Sequence, residues 1–224
     1  MLRFVAALLG VTAAGIATAQ AADLPVKAPP LLPVPLYNWT GFYVGGQVGG
    51  GWGSHDRSVL LPGGFQNSYD SSGVIGGIFA GYNWQIQSFV IGLETDINLT
   101  GIKGDDGGAG GTLDQTKLKW IGSLRGRVGY AWDRLLVFAT GGWAYGEFEH
   151  FNSAGAGETF TRTNSGWTVG GGAEFAVTPK WLLRAEYRYY DLGTYRNSAP
   201  TNGVFPYEVA NKIQTVTVGV SYKF

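Results

Sequence analysis

Eight charged residues are spaced largely in twos along the chain: Glu94 with Asp96, Arg125 with Arg127, and Arg184, Glu186 and Arg188 together, with Glu174 between them. A spacing of two puts neighbours on one face of a β-strand. With both signs present, such faces could line a charged pore. They could equally pair off as a buried network of charge-assisted hydrogen bonds. Glu147 and Glu149 share the spacing and are expected to join the set. Other chemistry is sparse. The two histidines, His55 and His150, fall in predicted loops. Ser54-His55-Asp56 holds three residue types that a hydrolase uses, but adjacent residues rarely converge on one substrate atom, so a surface loop is expected. Asp105-Asp106-Gly107 looks like a fragment of a calcium loop without the remaining ligands. Asn38-Trp39-Thr40 is a glycosylation sequon only in form. No H-E-x-x-H, G-x-S-x-G, G-x-G-x-x-G or P-loop string occurs. The chain has no cysteine, which excludes disulfides, thiolate zinc sites and a cysteine nucleophile. No catalytic residue, cofactor or metal site is therefore expected, and the chain is read as a non-enzyme.

The elements that must position these charges are strands. After residue 36 the chain shows alternation of period two and no convincing stretch of helical period. The clearest case is its end. Val216, Val218, Val220, Tyr222 and Phe224 share one face, and Thr215, Thr217, Gly219 and Ser221 share the other. Similar segments are predicted over 40–53, 73–84, 89–100, 116–132, 135–149, 165–177 and 181–191. In 116–132, Leu118, Trp120, Leu124 and Val128 are set against Lys117, Lys119, Ser123, Arg125 and Arg127. The facing of 135–149 is ambiguous, because Trp143 and Tyr145 share the phase of Glu147 and Glu149. Pro62, Pro179, Pro200 and Pro206 fall between the segments, where strand rules place them. Short connections (85–88, 133–134 and 178–180) alternate with long ones (about 54–72, 101–115, 150–164 and 192–211). Eight strands so connected make an up-and-down antiparallel arrangement.

Two barrels have this pattern. A soluble lipocalin-like barrel would turn the apolar face inward. The opposite face argues against that, being rich in Gly, Ser and Thr and unusually poor in charge. Only 14% of residues are charged, against a typical ~25%. Aromatic residues also cluster at the strand ends. Tyr82, Trp84, Phe89, Tyr130, Trp132, Trp181, Tyr222 and Phe224 lie by the short turns. Trp52, Trp120, Trp143, Tyr145, Trp167, Tyr187 and Tyr189 lie toward the long loops. Two aromatic girdles flanking an aliphatic band mark the two interfaces of a bilayer. The expected fold is thus all-β: an eight-stranded antiparallel up-and-down transmembrane β-barrel with apolar residues toward lipid. Glu94, Asp96, Arg125, Arg127, Glu174, Arg184, Glu186 and Arg188 then point into the lumen. Eight strands leave a lumen just wide enough for side chains to fill, and an unpaired buried charge is costly. The network is accordingly favoured over the open pore.

Ahead of the barrel, Met1-Leu2-Arg3 is followed by an apolar stretch from Phe4 and then Ala19-Gln20-Ala21. These are the regions of a secretory signal peptide, too short in apolar residues for a membrane anchor. Cleavage is expected after Ala21, with Ala19 an alternative. Residues 22–36 hold five of the nine prolines and read as an extended spacer. The domain reading is signal peptide 1–21, Pro-rich periplasmic linker 22–38 and barrel 39–224. Net charge is zero, so no basic field exists to hold nucleic acid.

Five segments carry a family resemblance: LPVKAPP, YNWTGFYVGGQVGGGWG (Tyr37–Gly53), AGYNWQ (Ala80–Gln85), RGRVGYAWDRLLVFATGGWAYG (Arg125–Gly146) and VGVSYKF (Val218–Phe224). In this order they resemble the small outer-membrane surface-antigen barrels of alphaproteobacteria, in the OmpA-like eight-stranded barrel superfamily. The resemblance implies a cell outer membrane location and periplasmic termini. It also implies insertion by the outer-membrane assembly machinery, which reads a terminal aromatic on an alternating strand. Here that signature is Val216, Val218, Val220, Tyr222 and Phe224. The expected role is a structural protein that contributes to envelope integrity and presents loops outside the cell. A narrow porin for small solutes, or a loop-based adhesin or haem binder, are the alternatives. Outer-membrane lipid and lipopolysaccharide are the expected surroundings. A homo-oligomer and host or surface ligands are further candidate partners.

Overall fold

A computed structural model describes residues 36–59, 66–105, 114–152, 158–197 and 207–224. The signal region with Ala19 and Ala21, and the linker up to Pro35, lie outside the described residues, as do Pro62, Pro200, Pro206, Asp106 and Gly107.

Nine strands follow in chain order: β1 (Gly41–Val59), β2 (Gln66–Ile86), β3 (Phe89–Thr100), β4 (Lys103–Asp105), β5 (Asp114–Trp132), β6 (Leu135–Asn152), β7 (Glu158–Ala176), β8 (Trp181–Asn197) and β9 (Tyr207–Lys223). Every pairing is antiparallel, and β1 pairs with both β2 and β9, so the sheet closes on itself. The short β4 bonds to β2 and β5, the two neighbours of β3, and so continues β3 past a break at Gly101-Ile102. The barrel therefore has eight staves. Closure gives every stave a hydrogen-bonded neighbour on both sides, which a bilayer interior requires.

The facing is inside-out relative to a soluble protein. Along β3, Phe89, Ile91, Leu93, Ile97 and Leu99 are exposed on the outside while Val90, Glu94, Asp96 and Asn98 are buried within. From Phe89 to Leu99, at about 3.4 Å per residue and a tilt near ~45°, the outer apolar band is about 24 Å tall, which matches a bilayer core. Aromatic rings edge the band at the short-turn end in contact chains, Phe42–Tyr82–Trp84 and Phe89–Tyr130–Trp132, with centroids 4.4–5.3 Å apart. At the far end Trp120, Tyr145 and Trp143 form a similar chain, and Trp167 meets Tyr189.

Three findings depart from the sequence reading. The strands run well into the predicted long loops: β1 and β2 leave only 60–65 between them, and β8 extends to Asn197. Those extensions lack apolar alternation because they lie beyond the aromatic girdle, where neither face must meet lipid. The backbone ladder continues through them. Second, β5 has a bulge between Leu118 and Trp120. The extra residue flips the facing beyond it. Leu118 is buried inside against the apolar lumen cluster that contains Phe148, while Lys117 and Lys119 are outside. Third, β6 turns Leu136, Phe138, Ala144 and Phe148 inward, so Glu147 and Glu149 stand on the outer face and not with the lumen charges.

At the short-turn end, Gln87 and Asp133 adopt left-handed backbone (φ 57° and 51°), which lets two hairpins reverse in two residues. Tyr37 and Asn38, assigned to the linker from sequence, pack there instead. The Tyr37 amide donates to Asp133 (2.9 Å), and Trp39, fully buried, donates its indole N–H to the Asp133 carbonyl (3.0 Å).

Candidate functional site

The lumen is layered. At the short-turn end, Trp39, Val90, Ala131, Leu136, Phe138, Ala176 and Leu182 make an apolar cluster, with Tyr37 against it. Nearer the long loops, Ile75, Ile102, Leu118, Ile121, Ala144, Phe148, Tyr190, Leu192 and Ile213 make another. Between them lies a layer of charge. Inward positions of β3, β5, β7 and β8 bring Glu94, Asp96, Glu174 and Glu186 together with Arg125, Arg127, Arg184 and Arg188. Four carboxylates and four guanidinium groups cancel.

Glu94 stands at the centre. Arg184 donates to both its oxygens (2.8 and 2.9 Å), Arg125 donates to Oε1, and Arg127 lies 3.6 Å from Oε2. The planar fork of Arg184 matches a carboxylate bidentately. Arg125 reaches across to Glu186 (2.6 Å), which also receives Arg188 (2.7 Å) and lies 3.1 Å from Arg184. Arg188 continues to Asp96 (2.6 Å), and Ser123 and Asn98 also donate to Asp96. Gln47 on β1 closes the chain by donating to Asn98 (2.7 Å). Glu174 is the loose member. Arg127 and Arg184 approach it at 3.2 and 3.6 Å, yet neither of its oxygens accepts a hydrogen bond. The eight charged side chains are at most 3% accessible.

Aromatic faces complete the layer. The Arg184 guanidinium lies between the rings of Phe79 (4.6 Å) and Phe138 (4.9 Å), and Arg127 lies over Phe138 (4.2 Å). Quadrupole attraction to a desolvated cation makes these rings good walls for arginine. Phe79 fits because Gly45 faces it; a Cβ there would meet the ring at 2.5 Å.

Sequence reasoning missed Tyr43, whose hydroxyl donates to Glu94 (2.7 Å) and accepts from Arg127 (2.9 Å). Tyr190 was also missed; it accepts from Arg188 (2.6 Å). Both signals were present, since Tyr43 shares the phase of Gln47 and Tyr190 that of Arg188. The terminal strand places Val216, Val218, Val220 and Phe224 on the outside, with Tyr222 between Trp181 and Phe224 (5.3 and 5.2 Å). Among the described residues no group of three or more His, Asp or Glu is placed to hold a metal.

This fold, an eight-staved barrel with a lipid-facing exterior, defines an outer-membrane barrel protein. The chain belongs to the outer membrane protein beta-barrel domain family, whose pattern matches residues 5–224, and it resides in the cell outer membrane. It is 38% identical to the 31 kDa outer-membrane immunogenic protein of Brucella melitensis, over 97% of this chain and 98% of that one. It is 38% identical to the 22 kDa outer membrane protein of Rhizobium leguminosarum, over 76% of this chain and 69% of the other. Among solved structures, the outer membrane protein OprG from Pseudomonas aeruginosa superposes with a TM-score of 0.54 at 15% identity, covering 83% of this chain and 96% of that one. That likeness concerns the fold alone.

Proposed function

We propose that this protein is a closed, non-enzymatic scaffold of the outer membrane, which stiffens the envelope and displays its long-loop end outside the cell. One observation carries the reading: the charged layer is desolvated and lies between two apolar layers. A water-filled pore would leave its lining accessible, whereas these carboxylates and guanidinium groups are packed against one another. A neutral layer also has no net field to select ions of one sign. Outer-membrane immunogenic relatives support display of the loops. Short turns face the periplasm in barrels of this class, which would put the longer connections outside.

The test has two arms. Liposomes carrying the folded barrel should swell in small sugars no faster than empty liposomes. Cells lacking the protein should become more sensitive to detergent and bile salts. Solute flux without an envelope defect would overturn the proposal in favour of a porin.

The terminal strand is proposed as the assembly signal, with Phe224 as its last aromatic. Deleting Tyr222 to Phe224 should leave secretion intact while the folded, heat-modifiable form falls and periplasmic degradation products rise. Unchanged folded barrel would refute that role.

A further inference from the structure

On the outer wall, one glycine leaves room that the protein itself does not use. Gly46 is exposed on the outer face of β1, with Val44 and Val48 beside it on the same strand and Val220 and Ile78 opposite it in the two ladders. The nearest atom a Cβ at Gly46 would meet is the Gly77 carbonyl oxygen, 3.8 Å away. At Gly45 and Gly49, whose phase is inward, a Cβ would meet the Phe79 ring at 2.5 Å and run into the Val216 carbonyl. Packing within the wall therefore accounts for the inward glycines and not for Gly46. Glycine weakens a strand interior, and it often marks a place where a ligand or another backbone comes close. Gly46 is the floor of a groove of about 960 Å³, bordered by Trp181 and Tyr222 at one end and by Val48 and Val218 at the other.

Its position in the bilayer selects the occupant. The groove starts at the short-turn girdle, where Trp181 packs on Tyr222 at 5.3 Å. From Val44 to Val48 it follows β1 for about 14 Å. That is close to half of the ~30 Å hydrocarbon core. With the short turns toward the periplasm, on which this inference rests, that half is the inner leaflet of the outer membrane, where the lipids are glycerophospholipids. A cation stands at the headgroup end. Lys180 is exposed in the turn between β7 and β8, its nitrogen 5.5 Å from the centre of the Tyr222 ring. Lys223 is turned away, donating to the Asn38 carbonyl and lying over Tyr37 at the lumen mouth. Among the described residues the charged groups at this end are Lys180, Lys223 and Arg134 against Asp133 and the Phe224 carboxylate, an excess of one positive charge. Asp133 is engaged at the mouth by the Tyr37 amide. We infer that the Gly46 groove is a docking site for one glycerophospholipid of the inner leaflet, with an acyl chain over Gly46 and the phosphate beside Lys180. The groove lies outside the wall, so the site does not depend on whether the lumen conducts.

The experiment uses the full chain folded in detergent, washed free of lipid and titrated with palmitoyl-oleoyl phosphatidylglycerol, bound lipid being counted by native mass spectrometry. Wild type should hold one lipid above the level of nonspecific adducts. In G46V the valine displaces about two buried methylenes of the chain, and binding should weaken at least about tenfold. G46V should remain heat-modifiable and unfold at no lower urea concentration, because valine suits a strand better than glycine. That combination separates loss of the site from loss of the fold. G126V puts the same side chain at another exposed glycine with as much room, the nearest atom being 3.9 Å away, and should bind as wild type does. K180Q should bind roughly fivefold more weakly. Diacylglycerol with the same chains should bind wild type as weakly as phosphatidylglycerol binds K180Q. Equal binding by wild type and G46V would overturn the inference, as would equal losses in G46V and G126V. A wild-type dimer that forms without lipid and is abolished in G46V would make a second copy the occupant instead. Equal competition from lipid A would overturn the leaflet assignment and the inference with it.

Discussion

Glu94 and Glu149 are the same residue type, each on a strand and each facing more than one cation, but they lie on opposite sides of the barrel wall. Glu94 has no accessible side-chain surface and meets Arg125, Arg127 and Arg184. Glu149 is a quarter exposed and meets Lys117 and Lys119. The partner type follows the medium. Inside, arginine supplies several donors in a rigid fork, so one guanidinium can satisfy two carboxylates and still stack on Phe79 or Phe138. Outside, hydrated lysines suffice, because water and headgroups solvate whatever the ion pair leaves over. Buried pairs collapse badly when one member is removed, whereas exposed pairs contribute little. The lumen layer links β3, β5, β7 and β8 through buried ion pairs, whereas the outer pairs stand partly exposed.

That contrast can be broken at several points. The largest effect is expected at Glu94. Glu94→Gln leaves three arginines short of a counter-charge and should lower unfolding free energy by about 3–5 kcal/mol, read by urea denaturation from liposomes. A loss under 1 kcal/mol would mean water already reaches the layer. Next comes Leu93, one residue away but on the lipid side. Leu93→Arg should cost about 2–4 kcal/mol near mid-bilayer, while Ser123→Asp on the lumen face should perturb the barrel differently, through its contact with Asp96. Indistinguishable behaviour of the lipid and lumen faces would contradict the inside-out assignment. Glu174→Gln should cost less than Glu94→Gln, about 1–3 kcal/mol, because its oxygens accept no hydrogen bond in the native layer. The smallest effect belongs to the outer pairs. Glu149→Gln should leave the denaturation midpoint unchanged, and a clear fall would show that this pair is structural too.

The strands' facing could be read from sequence wherever lipid imposes alternation, as in Phe89 to Leu99. It failed where that constraint ends. The bulge at Lys119 has no marker of its own in the sequence, so simple alternation puts Leu118 outside and Lys117 and Lys119 inside, the reverse of what the ladder shows. The extensions of β1, β2 and β8 read as loops because polar sequence beyond the membrane has no period to reveal it. The eight lumen charges were legible from their spacing of two, but their partners were not. Which arginine meets which carboxylate depends on stagger around a closed wall, and no single strand contains that information. Tyr37 and Asn38 look like linker because an extended segment docking on a barrel end needs no periodicity.

The claim that the lumen is closed is tested most directly by single-channel recording of the folded full chain in planar bilayers. The three-layered lumen predicts a flat baseline for the wild-type barrel at all moderate voltages, with no discrete steps. Reproducible ohmic steps from wild-type protein would show a continuous water path through the charged layer and contradict the account.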